Sequence, residues 1–319
     1  MDTIIIDGLS FALPLFIIAI GGIYSEKSGI TNLALEGFQG FGAFTGALAA
    51  VLIANALGTD IQNLFYVALL FAMLGGMAFS VIHAVLSIKF KADQVISGVV
   101  INILALALTT FLTTQINALV FGTASDKFQL GVSQRFTIEW LADIPVIGAI
   151  FTNVYPFEVI IVVIAVFAWY LLYKTRYGMR LRACGENPHS VDTAGVDVAK
   201  IRFSAVLVSG LLSGLGGMCF AYSISANFSS SIYMGYGFLA IAALIFGNWR
   251  IVPTLAACLL FGFAKSGGAF IAQSMALPSS FTDLFMILPY VLTLLLLIFF
   301  SKSNRAPRAL GEIYDKGKR

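Results

Sequence analysis

Two polar segments interrupt a strongly apolar chain and hold the residues whose spacing could do chemistry. The first is residues 25–37, which reads Ser-Glu-Lys-Ser-Gly-Ile-Thr-Asn-Leu-Ala-Leu-Glu-Gly. Such a break is either a simple loop or an unwound stretch that lines a water-filled cavity and offers backbone groups to a solute. Within it, Glu36 lies at the edge of an apolar run, where a charge is unfavourable unless it is paired or hydrated. Glu36 is therefore either a functional-site residue or an interfacial acid paired with Lys27.

The second polar segment, residues 185–195, predicts a short capped helix. Asn187 suits the N-cap, Pro188 the first helical position, and Gly195 the left-handed residue after the last turn. The helix would have about two turns. Its flanks carry dense positive charge, which the positive-inside rule places in the cytoplasm: Lys174, Arg176, Arg180, Arg182, Lys200 and Arg202. The segment is thus a docking element for a cytosolic partner or an ordinary connecting loop with one helical turn.

Further polar residues lie inside apolar runs. Most could be satisfied by helix carbonyls or by neighbouring helices. A second interpretation is that Asn102 and the group at 109–117 line a pathway for a hydroxylated solute, because a neutral polar lining suits sugars and nucleosides better than ions. The full set is His83, Asn102, Thr109, Thr110, Thr113, Thr114, Gln115, Asn117, Lys265 and Asp283.

No catalytic motif is found in the sequence. It lacks a Gly-x-x-x-x-Gly-Lys-Ser/Thr phosphate loop, and its two histidines lie far apart at His83 and His189. The three cysteines show neither disulfide nor metal-ligand spacing and are predicted to be packing residues. We therefore expect no enzyme activity and no cofactor or metal in this chain. The small net charge of +3 reports membrane orientation rather than a nucleic-acid partner.

Composition indicates the elements that must position these residues. With 59% hydrophobic and 11% charged residues and a mean hydropathy of +0.93, the chain is predicted to be an all-α, polytopic transmembrane helix bundle. We expect roughly nine crossings, within a range of 8 to 10, if the short run at 237–246 spans or re-enters the membrane. The apolar runs are residues 9–24, 37–57, 64–88, 95–121, 157–173, 201–222, 237–246, 251–271 and 281–300.

The charge pattern predicts the topology and the division of the chain. Lys89, Lys91, Arg250 and the basic residues after 301 fall on the same side as the polar insert, which puts the N-terminus outside and the C-terminus in the cytoplasm. Residues 1–301 would form one transmembrane domain with a cytoplasmic insert at 174–202 and an external loop at 122–155. Residues 302–319 would form a cytoplasmic basic tail.

Both polar segments resemble motifs of one family. Residues 25–37 are similar to the Ser-Glu-x-x-Gly-x-x-Asn-x-x-x-Glu-Gly stretch of nucleoside and simple-sugar ABC importer permeases, and residues 185–195 match the family's Gly-Glu-Asn-Pro to Ala-Gly run. The two motifs keep the family's order and separation, and the hydrophobic pattern extends the resemblance over nearly the whole chain. The broader family includes ribose and branched-chain amino acid permeases.

The resemblance implies roles and partners. The second motif would be the coupling helix that fits a groove of the ATPase, with contacts at Glu186, Asn187, Pro188, His189, Ala194 and Gly195. The first motif would lie near the translocation path, which adds Asn32 and Glu36 to the candidates Asn102 and Asn117. Implied partners are an ABC ATPase subunit that holds ATP and Mg, a second homologous permease in a heterodimer, and an extracytoplasmic solute-binding protein or lipoprotein. The complex would lie among the lipids of a bacterial cytoplasmic membrane.

Other functions stay open at this point. Nucleosides are the substrates expected from closeness of motif, followed by ribose-like sugars and other small polar metabolites such as a vitamin. An ion-coupled secondary transporter would require ionisable residues near mid-membrane, whereas Glu36 and Asp283 lie near predicted span ends. A gated channel would require a filter or pore-lining ring, of which one chain shows no signature.

Overall fold

The computed structural model describes residues 2–144, 148–275, 287–300 and 305–316, and it is mostly helical. This confirms the predicted all-α membrane fold. The helices are α1 (Asp2–Lys27), α2 (Leu35–Leu57), α3 (Phe65–Ala84), α4 (Gln94–Ile116), α5 (Glu139–Ala142), α6 (Pro156–Lys174), α7 (Arg176–Glu186), α8 (Pro188–Thr193), α9 (Val198–Ile224), α10 (Tyr236–Phe246), α11 (Ile251–Ser274) and α12 (Leu288–Phe300).

Short irregular helices extend this set. A 3-10 turn at Ile61–Leu64 precedes α3, and π-helical turns at Val85–Lys89 and Asn117–Phe121 prolong α3 and α4. Another 3-10 turn lies at Gly148–Phe151. Two short strands, β1 (Lys127–Gln129) and β2 (Asn227–Ser229), pair antiparallel and tie the segment after α4 to the segment after α9.

Seven helices in the described residues are long and apolar enough to cross a membrane. They are α1, α2, the α3 and α4 helices with their extensions, α6, α9 and α11. Helix α10 has 11 residues, which gives it a length of about 16 Å, roughly half of a hydrocarbon core. It therefore fits a re-entrant element better than a span. The predicted run at 281–300 is described only over α12, and Asp283 lies outside the described residues.

Helices α1 and α9 form the centre of the bundle. They are the most buried candidate spans, and α9 packs against α1, α2 and α3. Small residues allow this approach, since a Cβ at Gly214 would collide with the carbonyl oxygen of Ala72, and a Cβ at Gly42 would collide with the Cα of Gly214. The helices therefore pack closely around Gly214, at a distance that larger residues would not permit.

Candidate transport and coupling sites

The loop between α1 and α2, residues 28–34, runs through the protein interior without regular structure, and side chains from other helices satisfy its backbone. The N–H of Thr31 donates to Gln94 Oε1 at 2.7 Å. The carbonyl of Thr31 lies 3.2 Å from His83 Nε2, whose other ring nitrogen lies 2.9 Å from Ser97 Oγ. An irregular segment is tolerated at such depth when protein groups replace water as partners. We call residues 28–34 the motif loop.

Two predicted path residues hold the motif loop in place. Asn32 is fully buried, and its Nδ2 donates to Ser209 Oγ on α9 at 2.8 Å. Asn102 on α4 bridges the end of the loop and the start of α2, because its Nδ2 donates to the Leu33 carbonyl and its Oδ1 accepts from the Gly37 N–H, both at 2.8 Å. These amides are therefore engaged in shaping the loop. Their role in a solute path stays a prediction.

Glu36 caps the N-terminus of another helix. Its Oε2 accepts from the Gly235 N–H at 2.9 Å, and the N–H groups of Gly237 and Phe238 lie close enough to interact with the carboxylate. These donors belong to the first turn of α10, which has no partners within its own helix for them. A carboxylate there also interacts favourably with the helix dipole. In the structure, Glu36 therefore caps α10 and is not paired with Lys27.

A glycine and a tyrosine make that contact possible. A Cβ at Gly237 would lie 2.5 Å from the Cβ of Glu36, so α2 and α10 approach at a distance that only glycine permits. Just before α10, Tyr233 is buried, its carbonyl accepts from Gln39 Nε2 at 2.8 Å, and its hydroxyl lies 3.3 Å from Thr109 Oγ1. The segment that leads into α10 is thus anchored to α2 and α4.

The polar residues farther along α4 divide into two groups. Thr110 is exposed, and its hydroxyl contacts Ser230 Oγ at 2.7 Å beside the entry to α10. Asn117 lies at the far end, where its Nδ2 donates to the carbonyls of Ser125 and Lys127 at 2.7 and 3.0 Å. The structure therefore brings Asn32, Glu36 and Asn102 together but not Asn117.

The second polar segment forms the capped helix that its sequence predicts. Asn187 Oδ1 accepts from the Ser190 N–H at 3.0 Å, and Gly195 has a φ of +78° after the helix ends. Pro188 and Val191 are buried and attach α8 to the bundle. The Glu186 carboxylate lies 3.9 Å from Arg308 Nε, and the centres of the His189 and Tyr314 rings are 5.2 Å apart. The remaining predicted contact residues are all exposed: Glu186, Asn187, His189, Ala194 and Gly195.

Three charged residues, of which two are buried and one is half-buried, have partners that the sequence does not predict. Glu26 is buried and accepts from the Trp249 indole N–H, which joins the end of α1 to the turn between α10 and α11. Arg202 lies near the start of α9 and is 2% exposed, and its Nε donates to the Ser28 carbonyl of the motif loop. Lys265 donates to the Tyr236 hydroxyl at 2.7 Å and lies 3.9 Å from the centre of the Phe11 ring. The sequence places Glu26 in the first polar segment, Arg202 among the basic flanks of the second and Lys265 inside an apolar run, but it does not identify their partners.

The described residues offer little chemistry beyond polar contacts. They hold no group of three or more His, Cys, Asp or Glu side chains that could bind a metal ion. The three cysteines are free and buried. Burial raises the pKa of the Cys184 thiol to about 11, which keeps it protonated at neutral pH.

Sequence comparison identifies the class of protein that this fold represents. Residues 4–297 match the family described as "Branched-chain amino acid transport system / permease component", and the chain belongs to that family. It is a multi-pass membrane protein and a permease subunit of ABC transporters, without a catalytic function of its own. ABC permeases work with an ATPase subunit and a binding protein. The predicted family membership is confirmed.

Two relatives match over almost the full chain. The guanosine ABC transporter permease protein NupQ of Bacillus subtilis (strain 168) is 41% identical over 98% of this chain and 96% of its own length. The nucleoside ABC transporter permease protein NupC of Lactococcus lactis subsp. cremoris (strain MG1363) is 38% identical over 100% of this chain and 98% of its own. A second B. subtilis guanosine permease, NupP, is 25% identical over 95% of this chain and 82% of its own. No solved structure matches significantly.

Proposed function

We propose that this chain is the membrane-spanning subunit of an ATP-driven importer of nucleosides. The full-length similarity to guanosine and nucleoside permeases carries the choice of substrate. It also supports a heterodimer, because NupQ and NupP are two guanosine permeases of one organism and this chain is similar to both. The site residues are proposed from the contacts of α8 and α10, and the membrane orientation is proposed from the positions of the basic residues.

Helix α8 is proposed as the contact with the ATPase. It is short, it is capped by Asn187, and its Pro188 and Val191 are buried against the bundle, whereas Thr193 at its end is exposed. A rigid element of this kind transmits a displacement with little loss. Basic residues surround it, so the positive-inside rule places it in the cytoplasm, with the N-terminus of the chain outside.

The proposed solute path follows the face where α10 begins. There Glu36 caps the short helix α10. Phe238 in the first turn of α10 is 47% exposed, and Thr110 and Met234 are exposed as well. In the paired permease this face would turn toward the second subunit. An apolar wall with a few hydroxyl groups suits a nucleoside, which has a flat base and a polar sugar.

The function is tested by uptake of labelled guanosine, ribose and glucose into proteoliposomes that contain the complex of both permeases and the ATPase, supplied with the binding protein. We expect guanosine uptake that depends on ATP. Accumulation driven by an ion gradient without ATP would support a secondary transporter, and uptake of ribose or glucose in preference to guanosine would reassign the substrate.

The docking surface is tested with a matched pair of substitutions. Thr193 and Thr123 are both exposed, the first on α8 and the second at the opposite end of the bundle. Thr193→Arg should reduce copurification of the ATPase subunit, whereas Thr123→Arg should leave it unchanged. Equal ATPase recovery with both variants would argue against α8 as the contact.

A further inference from the structure

Residues 305–316 cross the end of the bundle where α7, α8 and the motif loop meet, and we call them the C-terminal strap. Its Ala309 N–H donates to the Gly185 carbonyl of α7 at 2.8 Å. Two residues later, its Gly311 N–H donates to the Gly29 carbonyl of the motif loop at 3.1 Å. The strap thus joins the two polar segments through backbone hydrogen bonds.

A buried arginine reinforces this junction. Arg202 Nε donates to the Ser28 carbonyl of the motif loop, and its Nη1 donates to the Glu312 carbonyl of the strap, both at 3.0 Å. Gly29 has a φ of +96°, and a Cβ there would lie 2.5 Å from Arg202 Nη2. The planar guanidinium can bond both segments at once, which a lysine ammonium on a flexible stem does less well.

The strap is also attached at both of its ends. Near its start, the Arg305 N–H donates to Asn248 Oδ1 in the turn between α10 and α11 at 2.8 Å. Near its end, Lys316 Nζ lies 3.4 Å from Asp192 Oδ1 on α8. An exposed ion pair of this kind contributes little stability. It does, however, place the strap against the helix that is proposed to meet the ATPase.

We propose that the C-terminal strap and Arg202 form a positioning element that makes the motif loop move with α8 during transport. The inference rests on the proposed function of α8. A displacement of α8 would pass through Gly185 and the strap to Gly29, and the motif loop leads directly into the turn of α2 that carries Glu36. Because Glu36 caps α10, the displacement would reach the proposed solute path.

The decisive quantity is the number of solute molecules taken up per ATP hydrolysed, because a merely structural role would not change it. It is measured with the reconstituted complex of both permeases and the ATPase, with guanosine as the probe. One variant lacks residues 305–319, and its control lacks only residues 317–319. We expect the ratio to fall at least about five-fold in the first, the lower end of typical coupling between sites, with ATPase copurification unchanged.

A second pair of variants keeps the full chain. Gly311→Pro removes the N–H that donates to Gly29 and cannot adopt the φ of +79° found there. Glu312→Ala is its control, because it keeps the carbonyl that accepts from Arg202 Nη1. The ratio should fall with Gly311→Pro and stay at the wild-type value with Glu312→Ala. If the truncated chain does not fold, this pair decides.

Each other outcome overturns the proposal. A ratio equal to the wild-type value in both test variants would mean that the strap does not position the loop. Loss of the ATPase subunit from the test variants would make the strap part of the docking surface instead. A wild-type complex that lacks ATP-dependent guanosine uptake would refute the proposed function, and the strap proposal with it.

Discussion

Removal of the Glu36 carboxylate should destabilise the protein by an amount that the α10 cap determines. In Glu36→Ala, the Gly235 N–H loses its acceptor, and the N–H groups of Gly237 and Phe238 lose a nearby negative charge. Loss of a helix N-cap side chain typically lowers the free energy of unfolding by about 0.5–2 kcal/mol, and a hydrogen bond to a charged group contributes about 1.5–3 kcal/mol. Because these contributions overlap, we expect a decrease of about 2–3 kcal/mol.

A conservative substitution separates the charge from the hydrogen bonds. Glu36→Gln keeps one carbonyl oxygen that can accept from the Gly235 N–H, but it loses the interaction between the negative charge and the helix dipole, worth about 0.3–1 kcal/mol. We expect a decrease of about 1 kcal/mol. The control is Glu139→Ala, an exposed acid at the start of α5, for which a change within about 0.5 kcal/mol is expected.

The cysteines of the chain can report its unfolding. Its three cysteines are buried, so a thiol-reactive fluorophore labels them only as the protein unfolds in mixed detergent micelles of increasing SDS content. The midpoints and slopes give the free energies of unfolding of the variants. The reasoning is refuted if Glu36→Ala unfolds within about 0.5 kcal/mol of wild type, or if Gln is more destabilising than Ala at this position.

Three further predictions follow from single contacts. Asn187→Ala removes the cap of α8 and should lower guanosine uptake more than Asn187→Asp, which keeps an accepting oxygen. Cys184, buried and with its pKa raised to about 11, should react with iodoacetamide in the folded protein at pH 8 at least about two orders of magnitude more slowly than an exposed thiol, because burial restricts both access and thiolate formation. Gly214→Ala should lower the thermal midpoint because the new Cβ would meet the Ala72 carbonyl, whereas Gly267→Ala, with open space around it, should not.

The sequence predicts local features well because neighbouring residues determine them. Helix α8 begins and ends where Asn187, Pro188 and Gly195 indicate, since a cap depends on residues within one turn. The apolar runs before residue 275 likewise match helices, because hydropathy over about 20 residues reflects the bilayer. The short length of the run at 237–246 is what marks α10 as different from a full span.

The partners of single polar residues could not be predicted, because they depend on tertiary packing. Glu36 contacts a residue 199 positions away, and nothing in its neighbourhood distinguishes that partner from Lys27. Asn102 and Asn117 look alike in the sequence, yet one shapes the start of α2 and the other fastens the segment that leads into β1. The roles of the predicted path and coupling residues stay predictions for the same reason.

The packing of the two polar segments constrains how the protein can work. A Cβ at Gly185 would collide with the Lys27 carbonyl, so the end of α7 lies directly against the end of α1. The motif loop starts at the next residue, and Glu36 follows a few residues later. An element that pushes on α8 therefore acts close to the loop that positions Glu36, with no long-range rearrangement required. The two polar segments are thus adjacent in space, which supports the proposed transmission from α8 to Glu36.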